Sequence, residues 1–383
     1  DSDEWLLPYK DAIDKRHEMI AQTRDRLSVD GSLAKAMNNH IYYGLHRNEK
    51  GSWIFREWAP NATKIYIIGE FNNWKRTEAY ALRPIGGGNW EIELPSMFLD
   101  HGTLYKLYIE WKGGGAERLP AYLTRAVQDP VTKTFCAQVW DPATKYEWKN
   151  AAPGKRPHPL IYECHIGMAA EEEKVGTFEE FRLNVLPKVA ELGYDTLQIM
   201  ALQEHPYYGS FGYQVANFYA LSSRFGTPEE FKALVDDAHG MGIAVVMDIV
   251  HSHSVDNEAE GLGLFDGTKT LYFYDGWQGH HPAWGSRCFD YGKDETKYFL
   301  LSNCKYWMEE YHIDGFRFDL MAIHDTETMN KVAKTLKEVN PRIFVYGEGW
   351  TCGDSPLPVE CRALKENVAK VEGIAVFSDD LRD

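Results

Sequence analysis

Apolar and polar residues change rhythm three times along this chain of 383 residues. Up to about residue 40, Ile13, Ile20 and Leu27 recur at helical spacing among many charges. That pattern predicts a solvent-facing helix leading into the first domain. From Tyr42 to about Tyr146 the texture becomes short alternating runs: Trp53–Trp58, Lys64–Gly69, Trp90–Leu94 and Tyr105–Ile109. Pro60-Asn61, the triple glycine at 86–88 and another at 113–115 punctuate them. Regular short strands between turn signals predict a β-sandwich of about 100 residues. Asn150–Pro159, rich in proline, glycine and charge, reads as a linker.

Beyond the linker, apolar strands alternate with helices. Strands are predicted at Leu160–Ile166, Thr196–Met200, Ile243–Val250, Phe316–Asp319, Ile343–Tyr346 and Ile374–Phe377. Thr177-Phe-Glu-Glu180 is a capping box opening a helix that carries Phe181, Val185, Val189 and Leu192. Thr227-Pro228-Glu229-Glu230 opens another, with Phe231, Leu234, Val235 and Ala238 on its buried face and Gly240 at its end. Lys297–Tyr311 is a third, and Asp325 opens a fourth carrying Met329, Val332, Leu336 and Val339. The alternation implies a parallel sheet covered by helices, most simply a (β/α)-barrel. The fold class is therefore α/β plus all-β: a sandwich, then a (β/α)8-type TIM barrel with about six strands present. The divisions fall at 1–40 (helical), 41–148 (sandwich) and 149–383 (barrel).

Composition narrows the partners. A net charge of −16 argues against nucleic acid or an anionic membrane, and no run of 18 apolar residues predicts a membrane span. Aromatic residues make up 14%, a supply of flat faces suited to stacking on sugar rings. The six cysteines, 136, 164, 288, 304, 352 and 361, show no metal-binding spacing. They read as free thiols in a reducing, cytoplasmic compartment, and the opening Asp-Ser-Asp-Glu-Trp shows no signal peptide.

Candidate chemistry sits at strand ends, where barrel enzymes keep theirs. Gly315-Phe-Arg317-Phe-Asp319 and Tyr346-Gly-Glu348-Gly-Trp350 each run from apolar residues to a carboxylate. Two facing carboxylates can divide the work of a retaining glycosidase, Asp319 as nucleophile and Glu348 as proton donor. Arg317 shares a strand side with Asp319 and would keep it ionised, although a plain ion pair fits the same pattern. Trp350 beside Glu348 would raise its pKa, though a strand-end acid tucked by a turn also fits. Asp248-Ile-Val-His251-Ser252-His253 admits zinc, yet a regular strand turns Asp248 away from the two histidines. The favoured reading makes His253 a donor to a sugar hydroxyl and Asp248 a supporting acid, with no metal and no organic cofactor. Gln203–Gln214 is long and aromatic, a loop over a pocket with Tyr213 as a stacking platform. In the sandwich, Trp74 either presents an aromatic face to a glucan or packs in the core.

Asp248–His253, Gly315–Asp319 and Gly347-Glu348 resemble three of the four signature segments of the α-amylase clan of glycoside hydrolases (family 13). The resemblance implies Asp319 as nucleophile, Glu348 as acid/base, Arg317 as the nucleophile's partner, His253 as a subsite ligand and Tyr213 under the cleaved sugar. The sandwich, with Trp53–Pro60 and Gly69–Trp74, is similar to the glycogen-binding module preceding the barrel in branching and debranching enzymes. Residues 1–319 resemble the eukaryotic-type glycogen (1,4-α-glucan) branching enzymes, through Tyr207–Tyr213, His-Ser-His253 and Tyr311–Asp319. After Asp319 a branching enzyme would continue Gly-Val-Thr-Ser-Met. Here Leu320-Met-Ala-Ile-His-Asp325, Tyr346–Thr351, Gly353–Pro358 and Phe377–Asp383 resemble type I pullulanase. The chain reads as a hybrid joined at the wording both groups share. The resemblance implies an α-glucan polymer as partner and branching by transglycosylation, with α-1,6 debranching or non-catalytic glucan binding as alternatives. The clan's fourth segment, His-Asp after a seventh strand, lies outside these residues, so weak or absent turnover and exposed strand edges are expected of this chain.

Overall fold

The computed structural model describes residues 8–27, 32–154, 157–281, 283–351, 355 and 357–378, with side chains from 19 to 27 left aside. Cys352, parts of the 353–358 and 377–383 segments, and the side chains of Ile20 and Leu27 lie outside the described residues. The N-terminal helix spans Lys10–Leu27, and its described side chains are mostly exposed.

Alternation builds the sandwich. In Trp53–Trp58 every second residue is buried, so Trp53, Phe55 and Glu57 share the inward face. One sheet runs in the order Gly44–Arg47, Trp53–Trp58, Asn89–Leu94, Arg83–Gly86. The other runs Ala62–Gly69, Leu104–Trp111, Phe135–Gln138, Ala126–Gln128, with Gly114–Arg118 also paired to Leu104–Trp111. Trp74 stands 38% exposed in a turn where Asn73 and Trp74 both adopt positive φ, so the structure removes it from the core.

The sandwich shares its core with the barrel. Tyr122 of the first domain packs on Tyr219 (5.0 Å between ring centres) and Phe299 (5.2 Å) of the second. The Arg125 guanidinium donates to the Gly226 carbonyl at 3.0 Å. The linker is pinned at its start: the Asp236 carboxylate accepts from the backbone amides of Lys149 and Asn150 and from the Tyr146 hydroxyl.

The second domain holds a parallel sheet of six strands in chain order: Ile161–Cys164, Thr196–Ile199, Ala244–Ile249, Gly315–Phe318, Phe344–Gly347 and Ala375–Val376. The expected sandwich and partial barrel are both present. Both threonine capping boxes form, each threonine accepting from the backbone amide of the glutamate three residues on. The first predicted helix breaks in two, Phe178–Asn184 and Leu186–Glu191, because Pro187 cannot donate into the turn before it. Leu192, which the spacing placed in this helix, caps its end and is 69% exposed. Helices Pro228–Gly240, Asp294–Tyr311 and Thr326–Val339 cover the strands, the last with Asp325 as N-cap. Among the described residues no helix is long and apolar enough to cross a membrane.

Candidate active site

Register decides what meets in the barrel. Asp248 lies opposite Arg317, and Arg317 opposite Tyr346, on three neighbouring strands. Side chains two residues apart share a face, so Asp319 and Glu348 emerge beyond that row. Arg317 is the centre. One terminal nitrogen donates to Asp248 Oδ1 and to Asp319 Oδ1, each at 2.9 Å, and the other pairs with Glu348 Oε1. Asp319 and Glu348 therefore touch one planar guanidinium, which holds them inside the ~10 Å span over which paired carboxylates can work across a sugar bond.

Glu348 is held at both oxygens, Oε1 by Arg317 and Oε2 by the backbone N–H of Leu320 at 3.0 Å, just past the end of the Gly315–Phe318 strand. Leu320 reaches it in a left-handed conformation (φ 43°), uncommon for a branched side chain. Gly347 precedes the glutamate, and a Cβ there would stand 2.8 Å from the Phe318 carbonyl oxygen and 2.9 Å from Met321 Cβ. The close approach of the two strand ends requires glycine.

Three acids around one cation cannot all remain charged in a buried pocket without cost. Burial pushes Asp248 up to about 7, with Arg317 opposing and Asp319 adding to the rise. Burial likewise raises Asp319, and it outweighs the opposing Arg317 charge. Arg317 does pair with Asp319 as its place on the strand predicts, and its charge opposes the rise without cancelling it. Glu348 is raised too, chiefly by burial and against Arg317 and the Leu320 amide. The rise expected of Glu348 is present, and burial is its cause.

Tyr213 donates its hydroxyl to Asp248 Oδ2 at 2.7 Å, so the loop Gln203–Gln214 does reach the acid cluster. Gly212 turns that loop at φ 93°; a Cβ there would sit 2.1 Å from the Ala201 carbonyl oxygen. His253 differs from expectation. Its Nε2 is 2.8 Å from the Tyr213 carbonyl oxygen and its Nδ1 is 2.9 Å from Ser252 Oγ. With both ring nitrogens engaged, the imidazole steadies Tyr213 rather than offering a free donor. The strand ends at Ile249, so Asp248, His251 and His253 turn to separate partners: Arg317 and Tyr213, Asn303, and Tyr213 with Ser252. Burial depresses His253 to about 4, so it is neutral near pH 7. Trp74 belongs to the sandwich, and among the described residues no hydrogen bond or ring contact joins it to the acid cluster.

Sequence reasoning missed the polar layer beneath the acids. The Tyr346 hydroxyl donates to Gln198 Oε1 at 2.6 Å, and the Gln198 amide donates to Glu163 at 2.9 Å. The signal was the polar residue inside otherwise apolar strand runs, at 198 within Thr196–Ile199 and at 163 within Ile161–Cys164.

This geometry can be set against known proteins. Residues 42–129 match carbohydrate-binding module 48 (isoamylase N-terminal domain), and residues 183–262 match the alpha amylase catalytic domain. The chain belongs to the α-amylase clan of glycoside hydrolases. The second match takes in Tyr213, Asp248 and His253; Asp319 and Glu348 lie past its end. Similar curated proteins are the 1,4-alpha-glucan-branching enzymes of Yarrowia lipolytica (44% identical over 326 residues), Aspergillus oryzae (45% over 327) and Equus caballus (40% over 325). Each alignment covers 83% of this chain. The chain spans about half the length of these relatives, 47%, 47% and 46%. Among solved structures, the catalytic module of the glycogen-degrading pneumococcal virulence factor SpuA aligns with a TM-score of 0.74 at 24% identity, over 89% of this chain and 55% of that one. The pullulanase of Bacillus acidopullulyticus aligns at 0.75 and 23%, over 89% and 45%. At those identities the two structures speak to the fold of this clan member.

Proposed function

We propose that this chain carries the carbohydrate-binding module and the first strands of the catalytic barrel of a 1,4-α-glucan branching enzyme. The observation that carries the reading is the pairing of Asp319 and Glu348 on one guanidinium at the ends of neighbouring strands. The similarity to curated branching enzymes supplies the substrate class, an α-glucan polymer such as glycogen or amylose. A cytoplasmic setting is part of the reading and rests on cysteine usage alone.

In this reaction Asp319 Oδ attacks the anomeric carbon of an α-1,4 link while Glu348 delivers its proton to the departing 4-oxygen. The raised pKa of Glu348 suits the first step, because the acid then holds a proton near neutrality. Arg317 steadies the negative charge that Asp319 needs for attack and regains as the ester breaks. Glu348, now ionised, takes the proton of an incoming 6-hydroxyl, and the oxygen displaces Asp319 to form the α-1,6 branch. Tyr213, tied to Asp248 and His253, offers its half-buried ring beneath the sugar. Trp74 offers an exposed aromatic face to the polymer at a distance from the chemistry.

A second reading, hydrolysis of α-1,6 links, is favoured by Leu320–Asp325, which resembles type I pullulanase. Incubation with amylose and with pullulan separates the two. Loss of iodine colour without new reducing ends supports branching. New reducing ends from pullulan overturn it, and retention on glycogen with no turnover in either assay leaves a glucan-binding chain.

A further inference from the structure

Behind the strand that carries Arg317 and Asp319 lies a cavity of about 530 Å³, between helices Asp294–Tyr311 and Thr326–Val339. Phe318 forms its floor; Leu300, Leu301 and Val332 form its sides, and Leu33 and Met37 roof it. Residues alternate along a strand, so Phe318 faces this space while Arg317 and Asp319 face the barrel. The cavity is thus separate from the acid cluster.

Its size falls in the range of ligand pockets, roughly 300–1,000 Å³. Its polar groups are already satisfied within the protein. His251 Nε2 pairs with Asn303 Oδ1 (2.9 Å), the Tyr291 hydroxyl donates to the His251 carbonyl (2.8 Å), and His324 Nδ1 lies 3.1 Å from the Met321 carbonyl. Water entering the cavity would find few partners, so the walls favour an apolar occupant.

The mouth has the opposite character. Arg16, Lys297, Lys331 and Lys334 line it, against Asp294 and Glu338. Glu338 already accepts from the Ser32 hydroxyl at 2.9 Å, and Asp294 lies 3.7 Å from Lys297. Lys331 pairs with the exposed Glu327, and no ion pair engages Arg16 or Lys334 among the described residues. On a chain of net charge −16, this cationic rim over an apolar hollow is out of character. We propose that the cavity binds a single-chain amphiphile with an anionic head, of the fatty-acid type. The acyl chain lies against Phe318, Leu301 and Val332, and the carboxylate meets Lys331 and Lys334.

Titration of the whole chain with laurate below its critical micelle concentration, followed by calorimetry, tests this. Saturable one-to-one binding in the micromolar range is expected, with monolaurin, the same chain on an uncharged head, about tenfold weaker or more. The surface double variant K331E/K334E should lose about the same factor without a change in unfolding midpoint. V332W, which fills the hollow, should abolish uptake. Absence of saturable binding overturns the proposal. Equal affinity for laurate and monolaurin overturns the anionic head. Uptake that survives in a folded V332W chain overturns the location; if V332W does not fold, the lysine variant decides. A parent chain that self-associates, and whose V332W variant loses that association rather than laurate uptake, assigns the hollow to a second copy and overturns the proposal.

Discussion

Among the places where this molecule buries carboxylates, two differ in kind. In the sandwich, Glu57 is fully buried and accepts from the backbone amides of Trp58 (3.0 Å) and Ala121 (2.9 Å), with no cation beside it among the described residues. Burial pushes it up to about 8. In the barrel, Asp248, Asp319 and Glu348 share Arg317, and burial raises all three. A perturbed pKa is common to both places, so it does not mark a site. What differs is the setting: Glu57 ties a strand to a neighbouring loop inside the core, whereas the three acids stand at strand ends around one shared charge, below a loop that brings Tyr213 over them.

The largest test of that contrast is Asp319→Asn. Any turnover by this chain should fall on the order of 10⁴–10⁶-fold, with retention on glycogen intact. Unimpaired rates in that variant would remove the nucleophile assignment. Glu348→Gln should lower turnover by about 10²–10⁴-fold and erase the basic limb of the pH–rate profile; a profile that keeps its basic limb places the acid elsewhere. Trp74→Ala should weaken glycogen retention by about tenfold while leaving the unfolding midpoint in place. A lower midpoint with unchanged retention would return Trp74 to a packing role. Leu320→Gly relieves a positive φ but removes a buried side chain, and should destabilise the fold by about 1–3 kcal/mol in urea unfolding. A gain of stability would mean that the backbone strain matters more than the buried leucine side chain.

The smallest effect belongs to Glu57. Its folded value, about 8, lies above its ordinary 4.5, and Asp248, about 7, lies above 3.8. Both groups hold protons more tightly when folded, so they support stability in acid and lose that contribution as pH rises toward 7–8. The melting temperature of the parent chain should fall between about pH 5 and 8. Glu57→Gln should flatten that slope without levelling it, because Asp248 still contributes, and should leave glycogen retention unchanged. An unaltered slope would show Glu57 to be ionised in the fold.

Much of the site was legible because it is local. Arg317 and Asp319 stand two apart on one strand, and Glu348 follows an apolar run, so period-two alternation places them at a rim without any knowledge of neighbours. His253 was misread because the reading assumed a regular strand through 253. Ile249 ends that strand, and the histidine joins a separate ribbon with Ser286–Cys288. Glu57 shares parity with Trp53 and Phe55, but its charge disguises an inward position. Gln198 meets Glu163 through register between adjacent strands, and Tyr346 reaches Gln198 across the curve of the sheet, with two strands between them. The hollow behind Phe318 lies between a helix before Asp319 and one after it, where the resemblance changes from branching enzyme to pullulanase.

The sequence by itself determined the order of elements, the two capping boxes and the acids that end the strands, because these depend on spacing within one segment. Only the tertiary structure decided that one guanidinium serves three carboxylates, that burial outweighs its charge, and that His253 turns to Tyr213. Those outcomes depend on which strand lies beside which and on how far water is excluded, and both are set by packing among segments distant along the chain.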